Sequence, residues 1–265
     1  MSDCGGGNTS IWPKHNENET FLRHSITDRK VFLFANATHL LKLARNWLLD
    51  TGFLLAYGTL IKHDPLKLLV INRKTEISDT FFIRQQLLTC ERSQGQKVDW
   101  AAKIYSRKCA IALQRRVRTP NAIQLSHFIL IINSWWDIFN SRHPNESQTL
   151  KRPYGLHLNE QNEALRAAKE LMGSCLPTKK SSPLVQFERQ TCLQFHSYQY
   201  VLHFTIYHFI ISQIFQKAMI MSIESLHGLF EEMRSRFKIS YIMTIKLNQD
   251  ALENLFSTLR NAYVE

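Results

Sequence analysis

The residues best suited to chemistry in this chain are two carboxylates near its C-terminal end. Asp250 and Glu253 lie three residues apart in the segment 246–260, whose leucines and Phe256 follow helical spacing. Such a helix buries its apolar stripe, holds the acids beside a polar strip, and has Asn248 as a plausible N-cap. An acid held in this way is a candidate for catalysis, and the same spacing also fits an ordinary solvated helix face.

Length and composition indicate a folded, basic protein. The chain has 265 residues, of which 44% are hydrophobic, which is enough for one large or two modest domains and too apolar for a disordered chain. Its 33 basic and 22 acidic residues give a net charge of +11, which favours a polyanionic partner such as nucleic acid, although many basic proteins bind none. Five scattered cysteines include no Cys-x-x-Cys pair, so a reducing compartment is expected, with neither a zinc site nor a disulfide framework.

No segment has the pattern of a membrane span or an export signal. The N-terminal residues lack the basic start and apolar run of a signal peptide. Residues 201–215 are apolar, but they are few and include His203, His208 and Gln213. A membrane span needs about 20 apolar residues, so a buried helix is the better interpretation.

Hydrophobic periodicity predicts a largely helical chain with short strands near both ends. A strand is expected at Lys30–Phe34, followed by a helix at His39–Asp50 that Gly52 closes. A second strand is expected at Ile239–Ile245. The helices predicted between them are Trp100–Arg116, Asn121–Asn140, Asn162–Met172 and an exposed amphipathic helix at Ser225–Phe237.

Three blocks of the sequence resemble motifs of the P-element-type DNA transposases, the family that includes the THAP-domain transposases. Residues 247–256 are similar to the last catalytic motif of that family. Residues 31–50 resemble a segment in which a strand leads into Asp-x-Pro-His-Leu-x-Lys and then Arg-Asn. Residues 133–142 resemble the Asp-x-x-Asn-Ser-Arg motif of the family's GTP-binding insertion, and the three blocks follow the family's order.

The resemblance implies a fold and a division into domains. The expected fold class is α/β, with an incomplete RNase H-like sheet interrupted by a long, mostly α-helical insertion. Residues 1–60 would form the first part of the RNase H-like domain, residues 61–238 the GTP-binding insertion, and residues 239–265 the last part with the catalytic-type helix. Because residues 2–8 resemble the segment after the first catalytic strand, we expect that strand to precede Met1, which would make the chain truncated at its N-terminus.

By the same resemblance, an acidic cluster holds two divalent metals such as Mg²⁺ that promote attack on a phosphodiester. Glu253 matches the catalytic glutamate and Mg²⁺ ligand, and Asp250 is its neighbour in the motif. Asn36 stands where the family has its second aspartate, and Thr38 replaces the motif's proline. Because a neutral amide removes negative charge from a site that must hold two dications, we expect the chain to be inactive in DNA cleavage.

The motif in residues 31–50 also suggests a DNA contact. His39, Lys42, Arg45 and Asn46 match its retained part, and the resemblance implies that they face a phosphate backbone. The alternative is a solvated helix face over a core of leucines and alanine.

The block at residues 133–142 suggests a guanine-nucleotide site. By resemblance, Asp137 accepts hydrogen bonds from N1 and N2 of guanine, and Asn140, three residues on, faces the same ligand. Trp136 would stack on the base, with simple core packing of Trp135 and Trp136 as the alternative. No Gly-x-x-x-x-Gly-Lys-Ser/Thr loop is present in the sequence, and the family's GTP site is not of that type.

These features predict a P-element-type transposase-derived protein that is nuclear and binds DNA and guanine nucleotide. The family cleaves DNA and transfers strands with Mg²⁺, and its GTP is a further expected cofactor. No membrane partner is expected, and a homo-oligomer is compatible with the resemblance. Two alternatives stay open: a domesticated, non-catalytic DNA- or protein-binding factor, and a helical scaffold without a nucleic-acid role.

Overall fold

The computed structural model describes residues 20–56, 58–71, 83–89, 97–177 and 214–248. The chain divides into two compact units, each assembled from separate stretches of sequence. Unit 1 comprises residues 1–40, 136–165 and 218–265, and unit 2 comprises residues 41–135 and 166–217. The domain boundaries expected at residues 60 and 238 remain a prediction.

Helices dominate the described residues. They are, in chain order, α1 (Ala37–Asp50), α2 (Asp64–Ile71), α3 (Gln85–Thr89), α4 (Val98–Ile104), α5 (Arg107–Ala112), α6 (Pro120–Phe139), α7 (Leu158–Ser174) and α8 (Ile214–Phe237). A π-helix at Leu113–Val117 continues α5, and 3₁₀ turns form at Thr149–Lys151 and Thr244–Leu247. The predicted helical character of the long middle stretch is confirmed.

The strands are short and form two small sheets among the described residues. They are β1 (Phe21–Arg23), β2 (Lys30–Phe32), β3 (Phe53–Leu54), β4 (Leu60–Ile61) and β5 (Leu176–Pro177). In unit 1, β1 and β2 pair antiparallel, and in unit 2 the antiparallel order is β4-β3-β5. The strand expected from residue 30 is confirmed as β2, while an RNase H-like sheet remains a prediction.

Helix α1 follows the sequence pattern closely. Its apolar stripe is fully buried and consists of Leu40, Leu41, Ala44 and Leu48. At its C-terminal end, the Gly52 N–H donates to the Trp47 carbonyl at 2.7 Å. Gly52 has φ +89, and a Cβ there would lie 2.4 Å from the Ile61 carbonyl oxygen, so only glycine fits. The predicted helix and its closing glycine are confirmed.

An aromatic cluster fills the core of unit 2. Phe53 on β3 lies 5.0 Å from Phe128 and 6.3 Å from Phe215, measured between ring centroids. Trp47 stacks on Phe215 at 6.4 Å, and Tyr105 lies 6.4 Å from Phe128. Aromatic pairs at these separations contribute about 0.5–1.5 kcal/mol beyond burial of their area. The short β3 strand therefore matters mainly because it holds Phe53 at the centre of this cluster.

Tyr154 organises the core of unit 1. Its ring meets Phe230 edge-on at 5.2 Å, and its hydroxyl donates to Asn162 Oδ1 at 2.6 Å. Burial, followed by the nearby Glu231 carboxylate, raises the pKa of Tyr154. Its backbone forms an isolated antiparallel bridge with Ile242, through N–H to carbonyl bonds of 2.9 and 2.8 Å.

Two sequence predictions need correction. The expected strand at residues 239–245 is wrong, because only Ile242 bridges and the chain then turns into 3₁₀ geometry at Thr244. The expected continuous helix at residues 100–116 is interrupted at Ser106, whose backbone is extended and whose hydroxyl accepts from the Cys109 N–H at 3.2 Å. This side-chain cap starts α5 as a separate helix.

Helix α8 is longer than expected. The predicted amphipathic helix at residues 225–237 is its second half, and the helix already begins at Ile214. Most of the apolar segment 201–215 lies outside the described residues. Across the described ranges, no helix combines the length and apolarity that crossing a bilayer requires.

Candidate functional site

Residues 249–256 of the acidic motif lie outside the described residues, and so do both of its carboxylates, Asp250 and Glu253. Its predicted N-cap, Asn248, is described and buried. Within the described stretches, no group of three or more His, Cys, Asp or Glu side chains is arranged to hold a metal ion. The assignment of Glu253 as a Mg²⁺ ligand therefore stays a prediction.

Asn36, which the resemblance matches with an aspartate of the family, is the N-cap of α1. Its Oδ1 accepts from the Thr38 N–H at 3.0 Å and from the Thr38 hydroxyl at 2.6 Å. Its backbone carbonyl accepts from Leu40 N–H at 3.0 Å, which is the first bond of the helix. The side chain is only 1% exposed. Both lone pairs of the amide oxygen are thus engaged within the protein, and in this arrangement Asn36 does not fit a metal-ligand role.

The two departures from the family pattern at Asn36 and Thr38 support each other. A proline at position 38 would have neither the N–H nor the hydroxyl that Thr38 donates to Asn36. The two donors of Thr38 therefore match the acceptor of Asn36, and together the two residues cap the first turn of α1.

Arg45 does not lie on a solvent-facing surface, which corrects its expected position. The residue is 0% exposed, and its guanidinium donates to Asn46 Oδ1 through Nε at 3.1 Å and Nη2 at 2.8 Å. Its Nη1 donates to the Lys97 carbonyl at 3.2 Å. Arg45 and Asn46 therefore form a hydrogen-bonded pair within the protein. Burial raises the pKa of Tyr105, and the Arg45 charge opposes this shift only in part.

The remaining predicted DNA contacts are partly exposed. His39 belongs to unit 1, whereas Lys42 and Asn46 belong to unit 2. Partial exposure is compatible with phosphate contact and with a solvated face. The DNA-facing role of these three residues therefore remains a prediction.

The three predicted nucleotide contacts lie at the C-terminal end of α6. Trp136, Asp137 and Asn140 are each partly exposed, whereas the neighbouring Trp135 is 0% exposed. The core-packing alternative therefore applies fully to Trp135 and only in part to Trp136. Asn140 directly follows the helix, and its Oδ1 accepts from Nε and Nη2 of the exposed Arg142, both at 3.4 Å.

The end of α6 is fixed by a segment more than 100 residues away in sequence. Ser141 and Thr244 are both 0% exposed, and their hydroxyl oxygens lie 2.8 Å apart. The Ser141 N–H donates to Thr244 Oγ1 at 3.2 Å, and the Thr244 N–H donates to Ser141 Oγ at 3.1 Å. We call this reciprocal pair the Ser141–Thr244 clasp.

Carbonyls of the last helical turn are capped by the same distant segment. The Thr244 hydroxyl donates to the Ile138 carbonyl, and Asn248 Nδ2 donates to the Phe139 carbonyl at 3.1 Å. Helix ends leave such carbonyls without partners inside the helix, and burial makes an unmet carbonyl costly. Sequence reasoning missed Thr244, and it identified Asn248 only as the cap of the following helix and not as a cap of α6.

Comparison with known proteins relates these features to a family. Residues 38–153 match the family described as TNP-like, GTP-binding insertion domain. This range includes the Asp137–Asn140 segment and most of α1. The chain is also 28% identical over 270 aligned positions to the Transposable element P transposase of Drosophila melanogaster, covering 98% of this chain and 32% of that protein.

A solved structure agrees with the sequence match. The chain resembles a protein in the Drosophila P element transposase strand transfer complex, with a TM-score of 0.77 and 27% sequence identity. The likeness covers 97% of this chain and 53% of the solved chain. The chain therefore spans about a third of the curated relative and about half of the solved one.

Proposed function

We infer that this chain, a homologue of the P element transposase, is a transposase-derived protein that binds guanine nucleotide at the C-terminal end of α6. The observation that carries the inference is the placement of Trp136, Asp137 and Asn140. Their side chains are partly exposed at a helix end, within the part of the chain that matches a GTP-binding insertion domain.

The chemistry of these side chains suits guanine. A carboxylate such as Asp137 accepts hydrogen bonds from both N1–H and the N2 amine of guanine, whereas adenine has no donor at either position. Charge assistance makes these bonds stronger than neutral ones. Trp136 offers a flat surface for the base, and the exposed Arg142 adds positive charge next to Asn140.

Calorimetric titration of the full chain with GTP and ATP tests this site. We expect GTP to bind more tightly than ATP and Asp137→Ala to weaken GTP binding by about tenfold or more, since a charged hydrogen bond contributes about 1.5–3 kcal/mol. The matched control is Glu163→Ala, which removes an exposed acid of α7 in the same unit and should change nothing. Equal binding of GTP and ATP, or GTP binding that ignores Asp137, would overturn the assignment.

The second part of the proposal is DNA binding, supported by charge. Residues 100–136 contain six Lys or Arg and no Asp or Glu, and Arg107, Lys108, Arg115 and Arg118 are exposed. His39, Lys42 and Asn46 are the proposed backbone contacts of α1. Phosphate contacts make affinity fall steeply with salt, so duplex binding measured across a salt series tests the proposal. Affinity that does not change with salt would contradict it.

The third part concerns the reaction. We propose an RNase H-like arrangement in which Glu253, with Asp250 beside it, contributes acidic groups, and in which the chain is inactive in DNA cleavage and strand transfer because Asn36 is neutral. The engagement of Asn36 as a helix cap supports inactivity. Nuclear localisation and self-association belong to the same proposal. Strand transfer with Mg²⁺ or Mn²⁺ that is lost in Glu253→Gln would refute it.

A domesticated, non-catalytic DNA- or protein-binding factor is the second candidate function. It is favoured by the same observation at Asn36, because a helix cap in place of a metal ligand leaves the fold intact while removing the chemistry. Both candidate functions, the inactive transposase-derived protein and the domesticated binding factor, predict binding of nucleotide and DNA without strand transfer.

A further inference from the structure

The protons of the Ser141–Thr244 clasp can be assigned from its bonds. A threonine hydroxyl has one hydrogen, and that of Thr244 is directed to the Ile138 carbonyl. The 2.8 Å contact between the two hydroxyls must therefore use the hydrogen of Ser141. Each of the two hydroxyls donates one hydrogen bond and accepts one from a backbone N–H. Both buried hydroxyls therefore have a partner for their hydrogen and for their oxygen.

The clasp joins two segments that the sequence marks for different roles. Ser141 directly follows Asn140 in the proposed nucleotide motif, and Thr244 starts the turn that leads into the acidic motif at residues 247–256. The Ser141 carbonyl also accepts from the Ile245 N–H at 3.2 Å, so two consecutive amides of the turn bond to Ser141. A displacement of the helix end must therefore break or strain bonds to residues 244–248.

We propose that Ser141 and Thr244 are positioning residues that couple guanine-nucleotide binding at Asp137 and Asn140 to the order of residues 244–248. The inference rests on the proposed guanine-nucleotide site. Nucleotide that fixes the end of α6 lowers the free energy of the clasped state, and by linkage the clasped state binds nucleotide more tightly. The acidic motif follows directly on the turn that is held in this way.

Hydrogen exchange of the full chain with and without GTP tests the coupling. The reporting amides are those of Thr244 and Ile245, which both donate to Ser141. We expect GTP to slow their exchange by about tenfold, a usual size for coupling between two sites. In Ser141→Ala, which removes one hydroxyl of the clasp, the GTP effect should fall below about twofold even where the folded protein still binds GTP.

Thr244→Ser is the matched control, because it keeps every hydroxyl bond of the clasp and should keep the GTP effect. A merely structural role would raise exchange in Ser141→Ala with and without GTP but leave the ratio between them unchanged, and that outcome overturns the inference. If Ser141→Ala does not fold, the wild-type chain still tests the coupling. GTP that binds to it without slowing exchange at Thr244 and Ile245 also overturns the inference. Absence of GTP binding overturns the proposed function together with the inference.

Discussion

Two helix ends of unit 1 carry candidate motif residues, and they are completed in opposite ways. At the start of α1, the cap is local, because Asn36 accepts from Thr38 two residues further on. At the end of α6, carbonyls of the last turn accept from Thr244 and Asn248, which are 106 and 109 residues away from their partners.

The difference between these two helix ends determines which motif side chains are available to a ligand. The local cap engages the amide oxygen of Asn36 within the helix, so in this arrangement the side chain does not fit a ligand role. At the end of α6, Thr244 and Asn248 cap the helix in place of the motif residues. Asp137 and Asn140 remain partly exposed beside this cap. It also joins two parts of the chain that a local cap would leave independent.

The largest effect is expected at the distant cap. Thr244→Val keeps the shape but removes the hydroxyl, leaving the Ile138 carbonyl and two donors of Ser141 without Thr244 as partner. Because each buried polar group left unmet costs about 1–3 kcal/mol, we expect a loss of about 3 kcal/mol or more in the free energy of unfolding. Urea denaturation measures it, with Thr244→Ser as the control that keeps the bonds. If Thr244→Val lost no more free energy of unfolding than Thr244→Ser, the claim that the distant cap stabilises the end of α6 would be wrong.

A smaller loss is expected from Arg45→Met, which fills similar space without the guanidinium. The change leaves Asn46 Oδ1 and the Lys97 carbonyl without their Arg45 donor, at a cost of about 2 kcal/mol in the free energy of unfolding. Because Arg45 is buried, the salt dependence of DNA binding should stay the same in the folded variant. If the slope of log DNA affinity against log salt concentration fell by about one in Arg45→Met, Arg45 would instead contact a phosphate.

The local cap should matter less than the distant one. Asn36→Ala removes one capping side chain, and we expect a loss of about 1–2 kcal/mol in the free energy of unfolding. Asn36→Asp is the matched variant, because it keeps the capping oxygen and introduces the residue that the family resemblance predicts at this position. Denaturation of both variants under one set of conditions gives the comparison, and an Asn36→Ala loss above that of Thr244→Val would reverse it.

The smallest effect is expected at Lys42. Lys42→Ala removes a partly exposed charge, so stability should change by no more than about 0.5 kcal/mol. The slope of log affinity for DNA against log salt should fall by about one if Lys42 contacts a phosphate. The same experiment on Glu163→Ala, an exposed acid, provides the control, and identical slopes for wild type and Lys42→Ala would leave Lys42 as a solvated residue.

The contrast between the two helix ends also explains what the sequence could and could not predict. The start of α1, its buried stripe and its closing glycine follow from neighbouring residues, and helix α6 follows from its apolar spacing. Periodicity predicts one continuous helix across Ser106, because the apolar spacing continues through the serine cap that separates the two helices. The pattern predicts a strand where the structure has a 3₁₀ turn at Thr244, because the partners of Thr244 at Ile138 and Ser141 are distant in sequence.

The same reason separates the candidate site residues. The nucleotide motif was found by its local spacing, whereas the clasp that holds it required the three-dimensional fold. Arg45 matches its motif in sequence, but its side chain is buried and its guanidinium donates to the Lys97 carbonyl, 52 residues away. Motif matching identifies residue types in order, and packing decides which of them face a ligand.

The most direct test of the guanine-nucleotide site is a change of base preference in Asp137→Asn. Xanthine has a carbonyl where guanine has its N2 amine, and an asparagine amide can donate to that carbonyl while its oxygen accepts from N1–H. We predict that wild type binds GTP at least about tenfold more tightly than xanthosine triphosphate and that Asp137→Asn reverses the order. A wild type without GTP preference, or an Asp137→Asn variant that binds both nucleotides as wild type does, would contradict the account.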